Sequence, residues 1–423
     1  MLMVESLQTG RPGLEIRPLA LPRPTRREVV RRAQRILTVL GRNLGPELKG
    51  RDRGASRLRL ARGLRAAFEE LEATFVKLGQ LIASAPSLFG DELSAEFRSC
   101  LDAGPPILPA QLRRAIELEF GRPLESVFSE LEPEPLAAAS LAVVHRGRLD
   151  DGRLVAVKVI RPGVRRTVAS DLAVMRPLFA FAGRVIAIGI AAELSDVLDG
   201  LEEQIAEELD LRNEAASMWW FRDVFGEMGL PRVHIPEPIP GLCGRRVLTM
   251  ELLDGVPIDD QQGIARLGVD PKPLMQEAVQ AFFATALCAG AFHGDIHAGN
   301  LMITTEGRIG LLDWGIVGRL DAHTRLFFRR IVEGSLGDDS AWTDVASYLK
   351  DQFGEQMRIE LGLDDDQMVS MAKASIEPLL ARPFGGARPD DAGRWSLRAE
   401  LVAARRLYQG QVPALAHVAE TAA

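Results

Sequence analysis

Ala291–Gly315 reads AFHGDIHAGNLMITTEGRIGLLDWG, and this stretch decides how the rest of the chain is read. His293-Gly294-Asp295 follows an apolar, helix-like run over Ala281–Ala289, and Asn300 comes five residues after Asp295. Leu301–Ile303 and Ile309–Leu312 are short β-favouring runs joined by the polar turn Thr304–Arg308, so the spacing predicts a hairpin. Its second strand ends at Asp313-Trp314-Gly315. Asp295 is placed to orient an attacking hydroxyl or water. Asn300 and Asp313 supply an amide oxygen and a carboxylate, the hard donors that Mg²⁺ takes in phosphoryl transfer. A surface hairpin with scattered polar residues is the plainer alternative, but order, spacing and strand context all favour the chemical reading.

Working back from the loop, Leu141–Leu149 is strand-like, Asp150-Asp151-Gly152 is a hairpin signal, and Leu154–Ile160 (LVAVKVI) is strongly β-favouring. Lys158 alternates away from Val155, Val157 and Val159, so its side chain leaves their apolar face. Val-Ala-Val-Lys after a hairpin is the setting of a lysine that contacts nucleotide phosphates in kinases. Ahead of it, Ala137-Ala138-Ala139-Ser140 stands where a kinase carries a glycine-rich loop. Alanine admits fewer conformations than glycine, so this phosphate-covering loop is expected to be stiffer. A charged lysine on this strand needs an acid. Ala192–Gly226 is helical and acidic, with Glu208, Asp210 and Glu214 among its carboxylates. On an unbroken helix Glu208 and Asp210 lie about 200° apart while Asp210 and Glu214 share a face, and Glu214 is the expected partner of Lys158. Val247–Gly255 reads as a strand entering a turn, where the backbone of Met250, Glu251 and Leu252 would meet an adenine edge.

Towards the N-terminus the pattern is helical from Arg26 to about Ala85, then over Asp91–Leu101 and Leu108–Phe120, with Gly104-Pro105-Pro106 as a stop. Residues 1–65 hold fifteen Arg and one Lys against five acids, a net +11, which leaves −18 for the remainder of a chain whose total is −7. A basic helix of this kind suits an anionic membrane surface and equally suits a solvated face. No aromatic residue precedes Phe68, which argues against nucleic-acid stacking there. Cys100, Cys243 and Cys288 are far apart and have no metal-ligand spacing. Pro177–Leu194 carries Arg184 in its middle and is too interrupted to span a bilayer. The expected location is cytoplasmic, with peripheral membrane contact.

Assembled, these residues resemble the UbiB/ADCK family of atypical kinase-like ATPases over roughly residues 30–340. The matching stretches are Phe75–Gln80 (FVKLGQ), Ala137–Ser140, Val155–Val159 with Arg161-Pro162-Gly163, Glu208-Leu209-Asp210 with Glu214, His293–Asn300 and Leu312–Gly315. The resemblance implies an α+β, bilobal protein-kinase-like fold with an N-terminal helical extension. The implied division is a poorly ordered basic tail over 1–25, the extension over 26–130, a kinase-like N-lobe over 131–252 and a helical C-lobe over 253–423. It further implies that Lys77 and Gln80 approach the catalytic centre, that Glu208 and Asp210 belong to it, and that ATP with Mg²⁺ is bound. Ubiquinone or other isoprenoid-lipid metabolism is the implied setting, with ATPase rather than protein kinase behaviour. A nucleotide-binding pseudokinase scaffold is the alternative, and a small-molecule kinase of aminoglycoside-phosphotransferase type a third reading that the Lys77–Gln80 helix disfavours. Departures from the family pattern include Glu72-Ala73 where Gly-Pro is common, Val143 for a glutamine, Ile296 and Ala298 for prolines, and Trp314 for phenylalanine.

Overall fold

The strand that carries Lys158 sits at the middle of a five-stranded antiparallel sheet in the computed structural model, which describes residues 14–46, 53–99, 104, 107–186, 188–335, 337–360 and 365–380. Two compact units emerge, one of residues 16–216 with 237–252, the other of 217–236 with the chain from 253 onward.

In the first unit, helices α1 (Arg26–Leu44), α2 (Arg53–Leu71), α3 (Ala73–Ser84), α4 (Pro86–Phe89), α5 (Asp91–Phe97) and α6 (Pro109–Phe120) precede strands β1 (Glu130–Ala138), β2 (Ala142–Arg148) and β3 (Leu154–Ile160). Helices α7 (Val164–Ile186), α8 (Ile188–Glu208) and α9 (Leu211–Met228) follow, and β4 (Val233–His234) leads to β5 (Pro238–Cys243) and β6 (Val247–Glu251). The sheet order is β1-β2-β3-β6-β5. Gly152, at φ +86°, closes the β2–β3 hairpin, which sets Val144 opposite Lys158 and Lys158 opposite Leu248. Val155, Val157 and Val159 are fully buried in one cluster with Leu112 and Ile116 of α6. Strand alternation therefore turns Lys158 to the opposite face.

The expected poorly ordered tail falls outside the described residues over 1–13. From Arg17 the chain is bonded, Arg17 N–H to Asn213 Oδ1 at 3.0 Å and Leu19 N–H to the Ala206 carbonyl at 2.9 Å. The extension is fixed by a buried polar knot. The Arg32 guanidinium donates to both Asp171 oxygens and to the Leu71 carbonyl (2.7 Å), and Thr74 Oγ1 donates to Asp171 Oδ2 at 2.8 Å. Asp171 on α7 is fully buried, and a buried carboxylate is tolerable only when paired and hydrogen-bonded in this way. Phe68 meets Phe75 and Phe97 edge-on beside it.

Two boundaries differ from the sequence reading. Ala137 and Ala138 belong to β1, paired with Val144 and Val143, so only Ala139-Ser140-Leu141 turns. Alanines give no β signal, and Pro133 and Pro135 suggest a break. Because β1 is an edge strand, both prolines fit, with register shifts on either side of Pro135. Between Glu208 and Leu211 the acidic helical region breaks into α8 and α9, so the 200° relation between Glu208 and Asp210 does not apply. Asp210 takes the N-terminal end of α9, accepting Arg212 N–H at 3.2 Å.

The second unit has β4 beside β10 (Ile309–Leu311), β9 (Leu301–Thr304) and β7 (Gly255–Pro257) in one sheet, and β8 (Ala291–His293) paired with β11 (Val317–Arg319). The predicted hairpin is present, with Ile309 opposite Ile303. Helices α10 (Gln261–Leu267), α11 (Pro271–Ala284), α12 (Ala322–Ser335), α13 (Ala341–Glu360) and α14 (Asp365–Leu380) complete it. Trp342 and Val345 of α13 are buried with Ile331 and Val332 of α12. The helix-like run at Ala281–Ala289 divides into the end of α11 and a π-helical turn, Thr285–Ala289, closed by Gly290 at φ +76°. The expected helix towards Tyr408 is described only to Leu380.

Candidate active-site residues

In the first unit, two lysines are buried against glutamates. Lys158 Nζ lies 2.9 Å from Glu214 Oε1, the pairing expected from sequence, and both residues are more than nine-tenths buried. Glu214 reaches it from the first turn of α9. Lys77 Nζ lies 2.8 Å from Glu208 Oε2, with side chains 7% and 12% exposed. Glu208 also accepts from Gln204 Nε2 at 3.1 Å. Gln80, one turn after Lys77 on α3, is half-buried. Asp210, also among the expected site residues, is held by Arg212 through two bonds (2.8 and 2.6 Å) and lies 3.9 Å from Arg245.

The alanine turn is held by the chain that follows β3. Ala139 N–H donates to the Ala142 carbonyl (2.9 Å), Arg161 N–H to the Leu141 carbonyl (2.9 Å), and Arg161 Nε to the Ala139 carbonyl (2.8 Å). Gly104 N–H reaches the Ala138 carbonyl at 3.2 Å, and a Cβ on Gly104 would come 2.5 Å from Arg161 Nη2. Only glycine permits that approach. Arg161 and Gly104 are thus residues the sequence reading did not assign, and the Arg-Pro-Gly that follows Lys158 is the signal that could have pointed to the first. Ser140 is buried at the turn. Met250 and Glu251 lie on β6 opposite Ala156 and Val155, and Glu251 N–H donates to the Glu237 carbonyl at 2.8 Å. Leu252 follows the strand, its N–H 3.5 Å from the Leu154 carbonyl.

In the second unit the expected loop is built around His293. Asp295 N–H donates to His293 Nδ1 (3.1 Å), and His293 Nε2 lies 3.1 Å from the Leu312 carbonyl. Nδ1 accepts, so Nε2 carries the proton and donates: a single neutral tautomer satisfies both contacts. Burial favours the same form, holding the imidazole below its ordinary range against the opposing pull of the Leu312 carbonyl and of Asp313 and Asp295. Asn300, in the 3₁₀ turn Ala298–Asn300, donates Nδ2 to the Asp295 carbonyl (2.9 Å), and its own carbonyl accepts Leu312 N–H (2.9 Å). The loop and the strand bearing Asp313 are therefore tied together twice.

Asp313 has φ +46°, and its Oδ1 accepts Gly315 N–H at 3.2 Å. A non-glycine residue in the left-handed region is sparsely populated and clusters at functional sites. Trp314 is 1% exposed, donates Nε1–H to the Leu311 carbonyl (3.0 Å), and packs on Phe221 and His293 with ring centres 4.5 and 4.6 Å apart. His297 Nε2, half-exposed, stands 3.7 Å from Asp295 Oδ2 and is a further neighbour that the sequence reading left out.

The ABC1 atypical kinase-like domain matches residues 99–344, well over half of the chain. The chain belongs to this atypical kinase-like family. A chloroplastic, uncharacterised aarF domain-containing protein kinase of Arabidopsis thaliana is 38% identical over 62% of this chain and 49% of its own length. A probable protein kinase UbiB of Pseudomonas aeruginosa is 33% identical over 73% of this chain and 61% of its own. The chain spans about half the length of the curated relatives it matches. A solved structure of a Mycobacterium tuberculosis protein, in complex with erythromycin, shares 22% identity over 90% of both chains with a TM-score of 0.47. The family match and the UbiB relatives establish the UbiB/ADCK resemblance and the kinase-like fold, and no helix among the described residues is long and apolar enough to cross a membrane.

Proposed function

We propose that this chain is an Mg²⁺-ATP-dependent phosphotransferase or ATPase of the UbiB type, acting on or with an isoprenoid quinone or another lipid. The observation that carries the reading is the Lys158–Glu214 pair, 2.9 Å apart and buried on the sheet face opposite the valines. A buried lysine held by a glutamate is poised to place one fixed positive charge on nucleotide phosphates. Lys158 would take the α- and β-phosphates, Ala137–Ser140 would cover them, and the Met250–Leu252 backbone would meet the adenine edge. Asp295 would orient the attacking oxygen and accept its proton, its backbone set by His293 and Asn300. Lys77 and Gln80, with Glu208, would limit access by bulky acceptors.

The donor set suits a hard cation. Asn300 Nδ2 is engaged by the Asp295 carbonyl, so Oδ1 is the amide atom that would meet a metal, and Asp313 would add a carboxylate. Mg²⁺ takes one or two such protein oxygens and reserves the rest of its shell for water and phosphate. When bound it would neutralise charge on the phosphate oxygens. Asp313→Asn is expected to abolish most Mg²⁺-dependent nucleotide binding, measured by titration with a fluorescent ATP analogue. Asp295→Asn should retain that binding and lose phosphate release. Undiminished Mg-ATP binding by Asp313→Asn would refute the metal assignment. Parent-level nucleotide binding without phosphate release, in the presence of lipid, would favour the scaffold alternative.

A further inference from the structure

The Arg-Pro-Gly stretch after β3 leads to a cavity on the first unit that is lined only by residues of that unit. Its volume is about 550 Å³, and Arg161, Arg165 and Arg166 from the start of α7 line it with Arg114 of α6 and Arg246 at the start of β6. Five guanidinium groups around one cavity repel one another unless acids or a ligand offset them. Arg166 meets Glu28 at 3.2 Å. Arg245, beside Arg246, approaches Asp210 at 3.9 Å, but Asp210 is already bound twice by Arg212. Neither Arg114 nor Arg246 forms one of the ion pairs seen among the described residues. Arg165 Nη2 donates to the Ala20 carbonyl at 3.2 Å, whereas its Nε is buried without a hydrogen-bond partner. Burial, together with the charges of Arg245 and Arg246, pulls the Arg165 guanidinium below its usual range. That shift records positive charge crowded on a partly desolvated group.

From this convergence we infer that the cavity is a binding site for a phosphate-bearing ligand, separate from the residues assigned to ATP. A planar guanidinium donates two parallel N–H groups, a geometry that suits phosphate oxygens, and several converging guanidiniums suit its multiple charge. The first turn of α7, a helix of 23 residues, adds its N-terminal dipole in the same sense. Leu118 (62% exposed), Ile160 and Pro162 line the same cavity, so an apolar body attached to the phosphate also finds a surface. The phosphate could be that of a lipid headgroup or of a soluble compound, and the experiment separates the two.

Arg114 and Arg246 are exposed and lie outside the assigned catalytic and nucleotide-binding residues, so Arg114→Gln/Arg246→Gln should fold. Binding of inorganic pyrophosphate is measured by calorimetry with the nucleotide site saturated by a non-hydrolysable Mg-ATP analogue. The full chain is expected to bind one pyrophosphate under that condition, and the double variant at least tenfold more weakly. A control, Arg98→Gln/Arg122→Gln, removes two exposed arginines outside the lining and should bind as the parent does. In a second arm, flotation with vesicles containing phosphatidic acid is compared with phosphatidylcholine alone. Retention that the Arg114/Arg246 variant loses and the control keeps assigns the site to a lipid phosphate. Pyrophosphate binding with no such difference in flotation assigns it to a soluble one. If neither probe binds, or if both double variants weaken binding equally, the cavity is not a phosphate site.

Discussion

Lys158 and Lys77 make the same contact in the same unit, a lysine ammonium within 3 Å of a glutamate carboxylate, but they are supported differently. Lys158 projects from an inner strand bonded on both sides by β2 and β6, and Glu214 projects from the first turn of a regular helix. Lys77 lies one turn into α3, whose entry residues Glu72 and Ala73 both have positive φ, and Glu208 is the last residue of α8. The first pair is held by regular structure. The second joins an element that begins in strain to one that is ending, with Gln204 as an extra donor. Burial fixes the charge chemistry in both, but only the first has its geometry imposed by hydrogen-bonded neighbours. The second is the pair that conformational change can separate at lower cost.

Cutting the first pair tests this most severely. Glu214→Leu leaves the Lys158 ammonium buried without its carboxylate, and breaking a buried pair in this way costs about 3–5 kcal/mol. Denaturant unfolding should show that loss, and Lys158→Met/Glu214→Leu should regain most of it because no unpaired charge remains. Nucleotide affinity should fall in both variants. A loss below about 1 kcal/mol for the single variant would mean that solvent reaches the lysine. Glu208→Leu should cost less, about 1–3 kcal/mol, since its side chain is 12% exposed and water can reach the lysine it abandons. Equal losses for Glu208→Leu and Glu214→Leu would remove the distinction between the two pairs.

Another buried base in this unit, His145, forms no ion pair among the described residues. His145 on β2 is 1% exposed, with Nδ1 2.9 Å from the Glu132 carbonyl, and burial holds its pKa below the ordinary value against that carbonyl and Glu134. With the folded value lowered, the unfolded chain binds the proton first as the pH falls. Stability is therefore full above the unfolded value of about 6.5 and is lost below it, by no more than about 1.4 kcal/mol per pH unit. Urea unfolding between pH 8 and pH 5.5 should show a shallower pH dependence for His145→Leu than for the parent. Parallel profiles would place His145 in water when folded.

These contrasts also bear on what the sequence alone makes legible. Alternation against three valines places Lys158, because that period persists in β3, whereas placing Glu214 by phase requires an unbroken helix and the chain breaks at Asp210; Glu214 meets Lys158 from the first turn of α9 instead. The hairpin of Leu301–Ile303 and Ile309–Leu312 was legible for a similar reason: β-favouring runs flank a polar turn. The break at Leu209-Asp210 was not, since no glycine or proline marks it; Asp210 capping α9 is the cause, visible only through Arg212 N–H. Ala137 and Ala138 were read as loop because alanine has no β preference, and pairing along one edge overrides that. The π-helical turn at Thr285–Ala289 has no local signature, and its closure by Gly290 follows from tertiary context. Gly104 carries no sequence signal because its role is a backbone contact with the alanine turn, and Arg161 is marked only by the Arg-Pro-Gly that follows Lys158.

The smallest expected effect concerns the strain beneath the second pair. Glu72 has φ +60° and ψ −169°, a region used almost only by glycine, and it stands where the family pattern commonly has glycine. A side chain held there costs about 1–3 kcal/mol, of which glycine's greater freedom in the unfolded chain returns about 0.5–1 kcal/mol. Glu72→Gly is therefore expected to stabilise the protein by about 1 kcal/mol, seen as a higher denaturation midpoint with an unchanged denaturant slope. The adjacent position should behave in the opposite way. Ala73 has φ +40°, whereas a proline ring holds φ near −65°. Adding Ala73→Pro should cancel the gain unless the entry to α3 rearranges, although Gly-Pro is the common family dipeptide here. If Glu72→Gly/Ala73→Pro is more stable than Glu72→Gly alone, the helix carrying Lys77 can begin in another way, and the strained entry is a property of these two side chains. If it is less stable, the entry is set by the packing around Asp171, where Thr74 Oγ1 is already fixed at 2.8 Å. In that case the Lys77–Glu208 pair is maintained against local strain by the buried knot of Arg32, Thr74 and Asp171.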